Sequence, residues 1–411
     1  MTEGNYLTAK EAAAALEITL PTLYAYVSRG LIRSEPGKGK SRAKRYRRAD
    51  VEGLLARKAL RKNPAMAAES ALHWGTPVLA SAVTLIEDGR FYYRGHDAVE
   101  LSQTASFEAV TSLLWRDSLA AADLFPPELP SRLRQRITEV QPILQPLPLF
   151  SRFQLLLPLL AEHDLAAYDL AETAVCHTGA RLLHLFTWAV TDTQPQFSVA
   201  ATLQQAWAPD LPEVEALLNT ALILCADHEL NASAFAARVV ASAQANPYAV
   251  VQAGLAALQG ALHGGHTERV AALLREAESA DGVRPVVAVR LRQGEIIPGF
   301  GHPLYPAGDP RGRLLLDLVA EVFAGDTAVT IAQKLIEVMA EATGQLPTID
   351  LGLVALARAA RLPRGAPLTL FALGRTAGWL GQAIEQYKEE QLIRPRARYI
   401  GKRPAAVQIG H

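Results

Sequence analysis

Cysteine is nearly absent: Cys176 and Cys225 are the only two in 411 residues, which excludes a disulfide framework. Each lies inside an apolar stretch, so both are expected as buried, reduced thiols and neither as a nucleophile. No apolar run reaches the roughly 18 residues needed to cross a bilayer, which excludes a helical membrane-spanning class. The N-terminus shows no charged-then-apolar leader with a cleavage site, and a cytoplasmic location is the default expectation. No repeat or low-complexity tract stands out. Net charge is missing too, with 41 Lys plus Arg against 41 Asp plus Glu.

What is present is a chain half hydrophobic, long enough for two or three domains with sizeable cores. Its zero net charge hides a split. Residues 1–62 hold 14 basic against 6 acidic side chains, which leaves 27 against 35 of the 41 and 41 for the rest. A basic head on an acidic body implies an N-terminal module with its own anionic partner, nucleic acid being the first candidate.

In YLTAKEAAAAL, Thr8 and Glu11 stand at the capping-box spacing ahead of a run of alanines and predict a helix. After a short turn at Ile18 and Thr19, Pro21 suits the first turn of a second helix, PTLYAYVSR, which stops at Gly30. The pair reads as a helix-turn-helix. A Gly-broken basic hairpin follows as a wing, and another helix starts at Asp50. In that arrangement Thr22, Tyr24 and Tyr26 face bases from the second helix, while Lys38, Lys40, Arg42, Lys44, Arg45, Arg47 and Arg48 lie against phosphates. This head resembles the winged helix-turn-helix of MerR-like and excisionase-like proteins; residues 1–62 are expected to form it, and 63–75, with the helix breaker Pro64, to connect it to the body.

The body is expected to be mainly α. An Asp-Gly turn in TLIEDGRFYYRGHD predicts a hairpin, after which FEAVTSLLWRDSL, RFQLLLPLLAEH, EVEALLNTALILCADH and VVQAGLAALQGALHG repeat apolar residues at helical spacing. Four stretches are odd for mere helix packing. DHELNAS interrupts two apolar helices with polar residues, and LHGGHTE places His263 before two glycines. PGFGHPLYPAGDPR sets His302 on a loop ahead of Arg311, a combination suited to an anionic ligand. LPTIDLGL holds Asp350 as a lone acid in an apolar run, where the ionised form is destabilised and the carboxylate becomes a better base.

The order YYRGHDAVEL, DHELNASAFAARVVAS, GALHGGHTE, GFGHPLYPAGDPR, TID, FALGRTAGWLGQAIEQ and LIRPRARYIG resembles the motif succession of the citrate synthase family, over about residues 70–403. The resemblance implies a helical two-domain fold, with a large domain from 76–253 and 364–411 and a small one at 254–363 that closes over it. It implies an acyltransferase that condenses acetyl-CoA with oxaloacetate to citrate, with no metal and no cofactor beyond the coenzyme A thioester. Matched residue by residue, it makes His263 the stabiliser of the acyl enol, Asp350 the base that takes the α-proton, and His302 the group that polarises the oxaloacetate carbonyl. His228 becomes a further oxaloacetate histidine, and Arg311, Arg375 and Arg394 the holders of its carboxylates, Arg394 reaching into the site of a second subunit of a homodimer.

The chain departs from that pattern in places. Pro303, Leu304, Tyr305 and Pro306 stand where the family sets basic residues for coenzyme A, leaving Arg290, Arg292, Lys402 or Arg403 as substitutes. His266 and Thr267 replace an Ala-Asn pair, and Leu351 with Gly352 replace an aromatic and a serine, which opens propionyl-CoA and methylcitrate as a variant. His263 and His266 form an H-x-x-H pair, but no further ligand cluster accompanies it and metal is not expected. His73, His96, His163, His177 and His184 are expected as satisfied core or surface residues. A second function class stays open: a DNA-binding regulator whose body senses thioesters or carboxylates.

Overall fold

The computed structural model describes residues 6–36, 44–48, 50–51, 54–55, 79–125, 128–195, 198–279, 282–389, 391–397 and 399–402. Lys38, Lys40, Arg42, His73, Arg403 and the expected 63–75 connection lie outside the described residues. The chain divides into two compact units, Met1–Ala80 with Pro395–His411, and Ser81–Arg394.

In the first unit α1 (Ala9–Ala15) and α2 (Leu20–Ser28) accompany a three-stranded antiparallel sheet of β1 (Tyr6–Thr8), β2 (Ser34–Pro36) and β3 (Lys44–Arg47), in the order β1-β3-β2. The capping box forms: Thr8 Oγ1 accepts from the Glu11 N–H at 3.3 Å, and Glu11 Oε2 accepts from the Thr8 N–H at 2.8 Å. Thr19 caps α2, Pro21 sits in its first turn, and Gly30 follows its end at φ +72. Along β3, Tyr46 is buried with Leu7, Ala12, Leu16, Leu23 and Ile32, while Lys44 is exposed and Arg45 and Arg47 are half-buried. The Arg33 guanidinium forks onto Asp50 at 3.2 and 3.0 Å, tying the strand region to the start of the next helical segment. β1 has no counterpart in the sequence reading: three residues are too few to show a period, and pairing Leu7 with Tyr46 across the sheet is what makes it a strand.

The second unit is mainly helical. It opens with a small antiparallel sheet of β4 (Thr84–Glu87), β5 (Arg90–Tyr93) and β6 (His96–Asp97). Asp88 at φ 54 and Gly89 at φ 76 give the type I′ turn that Asp-Gly favours. The helices that build the site are α3 (Val214–Cys225), α4 (Ala232–Ser242), α5 (His266–Ser279), α6 (Pro310–Val322), α7 (Ile349–Ala359) and α8 (Ala366–Glu389). From Ala366 to Tyr387, α8 is buried almost throughout, as a central helix apolar all round must be. A Cβ on Gly374 would lie 2.5 Å from the Leu222 carbonyl oxygen, and one on Gly378 2.3 Å from that of Ala226. Glycine at both positions lets α8 lie directly against the end of α3, and this crossing sets Arg375 beside Cys225.

Two cores lie inside this unit. The larger gathers Phe91, Trp115, Phe153, Leu222, Leu255, Leu315 and Trp379 among many others. The smaller gathers Val270, Leu274, Val287, Phe300, Leu335, Met339, Leu351 and Val354, all within the 254–363 stretch. Leu255, Leu258, Leu315 and Val319 of that stretch belong to the larger core. Cys176 and Cys225 are buried free thiols, and burial pushes them up to about 11 and about 12. No helix among the described residues is long and apolar enough to cross a membrane.

Candidate functional site

His302 lies on the loop between Phe300 and the N-terminus of α6, where Gly301 takes φ +75. Its ring meets that of His228 edge to face, centroids 5.3 Å apart, and both rings flank Tyr305, whose centroid is 5.0 Å from His302 and 5.5 Å from His228. The Tyr305 hydroxyl is 2.8 Å from His228 Nε2. Burial holds His228 well below the usual imidazole range, and the charges of Arg311, Arg375, His302 and His263 push the same way. His302 is pushed down to about 4 by burial and then by Arg311. Both rings are therefore neutral at pH 7 and carry one N–H each. The Leu304 N–H donates to His302 Nδ1 at 3.2 Å, which leaves the proton of that ring on Nε2 as a free donor.

His263 sits in the turn ahead of α5. Its Nε2 is 2.8 Å from Ser233 Oγ, an oxygen that accepts from Trp379 Nε1 at 3.1 Å and lies 2.8 Å from Asn231 Oδ1. Burial, reinforced by Arg375, pushes His263 down to about 4. Its ring stands edge to face against Phe371, centroids 6.1 Å apart, and the Arg375 guanidinium covers the same Phe371 ring at 4.8 Å.

Asp350 occupies the first turn of α7, after Thr348 at the N-cap. Thr348 Oγ1 donates to its Oδ2 at 3.1 Å. Burial raises its carboxyl above the ordinary range, against the opposing effects of His266, Thr348 and Arg311. The start of α7 is held by Asp309, whose Oδ2 accepts from the Ile349 N–H at 3.1 Å. Asp309 also takes Arg311 Nε and Nη2, both at 2.9 Å, in a buried fork. A Cβ on Gly312 would lie 2.4 Å from the Thr348 carbonyl carbon, so α6 and the Asp350 turn are in direct backbone contact.

Arg375 is 1 % exposed. Its Nε donates to the Cys225 carbonyl oxygen at 2.7 Å, but its Nη2 is buried without a hydrogen-bond partner among the described residues. Nearby Asp227, fully buried, accepts from Thr84 Oγ1 at 2.6 Å and leaves its Oδ1 unpaired. The Asp227 charge acts on the Arg375 guanidinium without a hydrogen bond to it, and an unpaired buried donor carries a desolvation cost of about 1–3 kcal/mol or more.

Of the residues singled out from sequence, the structure gathers His228, His302, Arg311 and Arg375 around Tyr305 and Phe371, with His263 on one flank and Asp350 on the other. Arg394 is exposed near the end of the unit, past α8, and is not part of this gathering. Asp309 takes two of the five N–H donors of Arg311, one on Nε and one on Nη2, which leaves three for a ligand. His184 departs from its expected role, being buried with an Nε2 that has no hydrogen-bond partner among the described residues rather than satisfied. The nitrogens of the H-x-x-H pair go to separate partners, Ser233 for His263 and Gly299 for His266. Sequence reasoning missed Tyr305, Asp309, Ser233 and Thr348. Of these, only Asp309 had a signal, since Asp before Pro-Arg is a helix N-cap spacing.

A depression of about 410 Å³ is lined by His302 and Tyr305 together with Ile296, Phe300, Pro303 and Leu346, and by no Lys or Arg. Arg290, a candidate for coenzyme A, is ion-paired with Glu276 and Glu295.

Comparison with known proteins places these observations in a family. The family described as "Citrate synthase, C-terminal domain" matches residues 71–396, and the one described as "Helix-turn-helix domain" matches residues 6–59. "Citrate synthase 2" of Bacillus subtilis is 30% identical over 353 residues, covering 80% of this chain and 94% of the relative. A "2-methylcitrate synthase" of Mycobacterium tuberculosis is 29% identical, covering 75% of this chain and 84% of the relative. The crystal structure of citrate synthase from Thermotoga maritima aligns with a TM-score of 0.66 at 27% identity, covering 80% of this chain and 95% of that one.

Proposed function

The chain belongs to the citrate synthase family, with an N-terminal helix-turn-helix domain, and from that premise we propose that it condenses acetyl-CoA with oxaloacetate to citrate and free coenzyme A at the site around Arg375. The observation that carries the site assignment is the buried, unpaired Nη2 of Arg375 beside two neutral histidines, which fits a carboxylate ligand.

Asp350 takes a proton from the acyl α-carbon. The electron pair left behind forms the enolate, and His263 hydrogen-bonds its oxygen as charge gathers there. The α-carbon then attacks the keto carbon of oxaloacetate, whose oxygen gathers charge against the Nε2–H of His302 and takes up one proton, balancing the one that Asp350 removed. Water cleaves the resulting citryl thioester and frees the coenzyme A thiol. General acid–base groups of this kind contribute about 10²–10⁴ each, and holding two reactants face to face adds a large entropic term. His228 and Arg375, with the remaining N–H groups of Arg311, hold the oxaloacetate carboxylates. No cofactor beyond the thioester takes part.

The smaller core around Leu274, Phe300 and Leu335 is the part that closes over the site, excluding water during condensation. Arg394, exposed beyond α8, completes the site of a second subunit in a homodimer. The apolar residues after Asp350 and the relative named 2-methylcitrate synthase support propionyl-CoA as a second acyl substrate.

The first unit binds DNA, with Thr22 and the exposed Tyr24 of α2, and Tyr26, towards the bases and Lys44, Arg45 and Arg47 of β3 against phosphates. A two-fold dimer would present two such units to a pseudo-palindromic site. The decisive measurement is thiol release by the purified protein with acetyl-CoA or propionyl-CoA, with and without oxaloacetate. Oxaloacetate-dependent release is the expected result. No release with either thioester, together with a ligand-dependent shift of DNA mobility, would make the body a sensor.

A further inference from the structure

His266 opens α5 one turn after His263. The His266 N–H donates to the His263 carbonyl oxygen at 2.9 Å, and the Thr267 N–H to that of Gly264 at 3.1 Å. This turn is wedged in place: a Cβ on Gly265 would lie 2.3 Å from the Gln259 carbonyl oxygen. Thr267, 1 % exposed, adds a bond from Oγ1 to the Gly264 carbonyl oxygen at 2.9 Å. The His266 ring therefore projects from a fixed point.

Its Nε2 accepts the Gly299 N–H at 3.1 Å. The Gly299 carbonyl oxygen accepts the Thr348 N–H at 2.9 Å, and Thr348 Oγ1 donates to Asp350 Oδ2. Gly299 itself takes φ +87, a conformation that favours glycine, and lies against Val270 of α5. Three residues further along the same loop is His302. One chain of hydrogen bonds thus runs from the turn bearing His263, through His266 and Gly299, to the helix bearing Asp350. Because Nε2 accepts, a neutral His266 carries its proton on Nδ1.

We propose that His266 is a positioning residue that sets the three reacting groups in one register, its Nε2 holding the Gly299 amide so that the His302 loop and the Asp350 helix are both anchored to the turn bearing His263. The proposal rests on the condensation reading of this site. Displacing reacting groups by about 1 Å costs as much as 10²-fold in rate, so loss of one anchoring bond has a kinetic reading even where the fold survives.

The test compares full-length wild type, His266→Ala and His266→Gln, whose amide oxygen reaches the place of Nε2. Thiol release and hydrogen–deuterium exchange of the peptide spanning 296–303 are measured on each. His266→Ala is expected to lower kcat by ~10- to 100-fold with a smaller change in KM, and to speed exchange at Gly299. His266→Gln is expected to restore most of both. Should the alanine variant unfold, His266→Met against His266→Gln gives the same contrast at similar size. Wild-type kcat and exchange in the variant lacking an acceptor, or equal loss with and without one, would overturn the proposal. A wild type silent with every thioester overturns the condensation reading, and the exchange measurement still decides the anchoring role.

Discussion

The Tyr305 hydroxyl and His228 Nε2 share a buried hydrogen bond across 2.8 Å. Burial raises the Tyr305 phenol and lowers the His228 imidazole, so both groups stay neutral at pH 7 and the bond joins a neutral phenol to a neutral ring. With the phenol as donor, His228 keeps its N–H on Nδ1 for a ligand carboxylate. Tyr305→Phe leaves His228 Nε2 buried and unpaired, a loss of about 1–3 kcal/mol. We expect the KM for oxaloacetate to rise by roughly 5- to 100-fold with the KM for acetyl-CoA nearly unchanged. Steady-state kinetics with each substrate varied in turn checks the split.

Asp350→Asn removes the base while keeping its size. Thiol release should fall by at least ~10²-fold, with subunit association and any DNA binding retained. In the wild type, burial raises the Asp350 carboxyl. The base works ionised, so kcat/KM declines as pH falls through that raised value, placing the acid limb above the ordinary aspartate pKa of about 3.9. A pH–rate profile that stays flat down to that ordinary value would argue against Asp350 as the base.

Arg375 tests ligand binding separately from folding. Its unpaired Nη2 costs stability in the free protein but its charge offsets that of buried Asp227, so Arg375→Gln, which keeps a donor near the Cys225 carbonyl, should lower the unfolding free energy by about 1–3 kcal/mol and still leave a folded protein. Oxaloacetate, binding only the folded state, should raise the melting temperature of the wild type and leave that of the variant where it was. Differential scanning fluorimetry across an oxaloacetate titration reads both effects.

His184 carries an acid sensitivity unrelated to the site. It is 1 % exposed, has no hydrogen-bond partner at Nε2 among the described residues, and burial pushes it down to about 4. Above about pH 6.5 neither the folded nor the unfolded chain protonates it, and it does not affect the balance. Between there and about 4 the unfolded chain takes a proton that the folded one refuses, so stability falls as pH falls, by about 1.4 kcal/mol per pH unit. His184→Leu should reduce the stability lost between pH 7 and 5 by about 1–2 kcal/mol, measured by urea unfolding at both values.

Much of the helix-turn-helix was legible because its signals are local. Thr8 and Glu11 recognise each other three residues apart, and Pro21 and Gly30 bracket α2 within one short segment. The Asp88-Gly89 hairpin was legible for the same reason. Strand β1 was not, since its partner Tyr46 lies far along the chain. In the site, His228, His263, His302 and Asp350 stood out as polar residues in apolar or glycine-rich surroundings. Tyr305 and Ser233 did not, because a tyrosine or serine beside a motif has no local mark that tells it from a packing residue.

By itself the sequence determined which segments are helical, where the chain turns and which titratable groups sit in apolar runs, all properties decided by neighbours a few residues away. Only the tertiary structure decided that Asp309 claims two nitrogens of Arg311, that Arg375 is left one short, and that His266 holds Gly299. Those outcomes are contests for partners between residues that are distant in the chain or face each other in one buried turn. A contest of that kind is settled by which atoms the packed helices bring within hydrogen-bond reach and away from water.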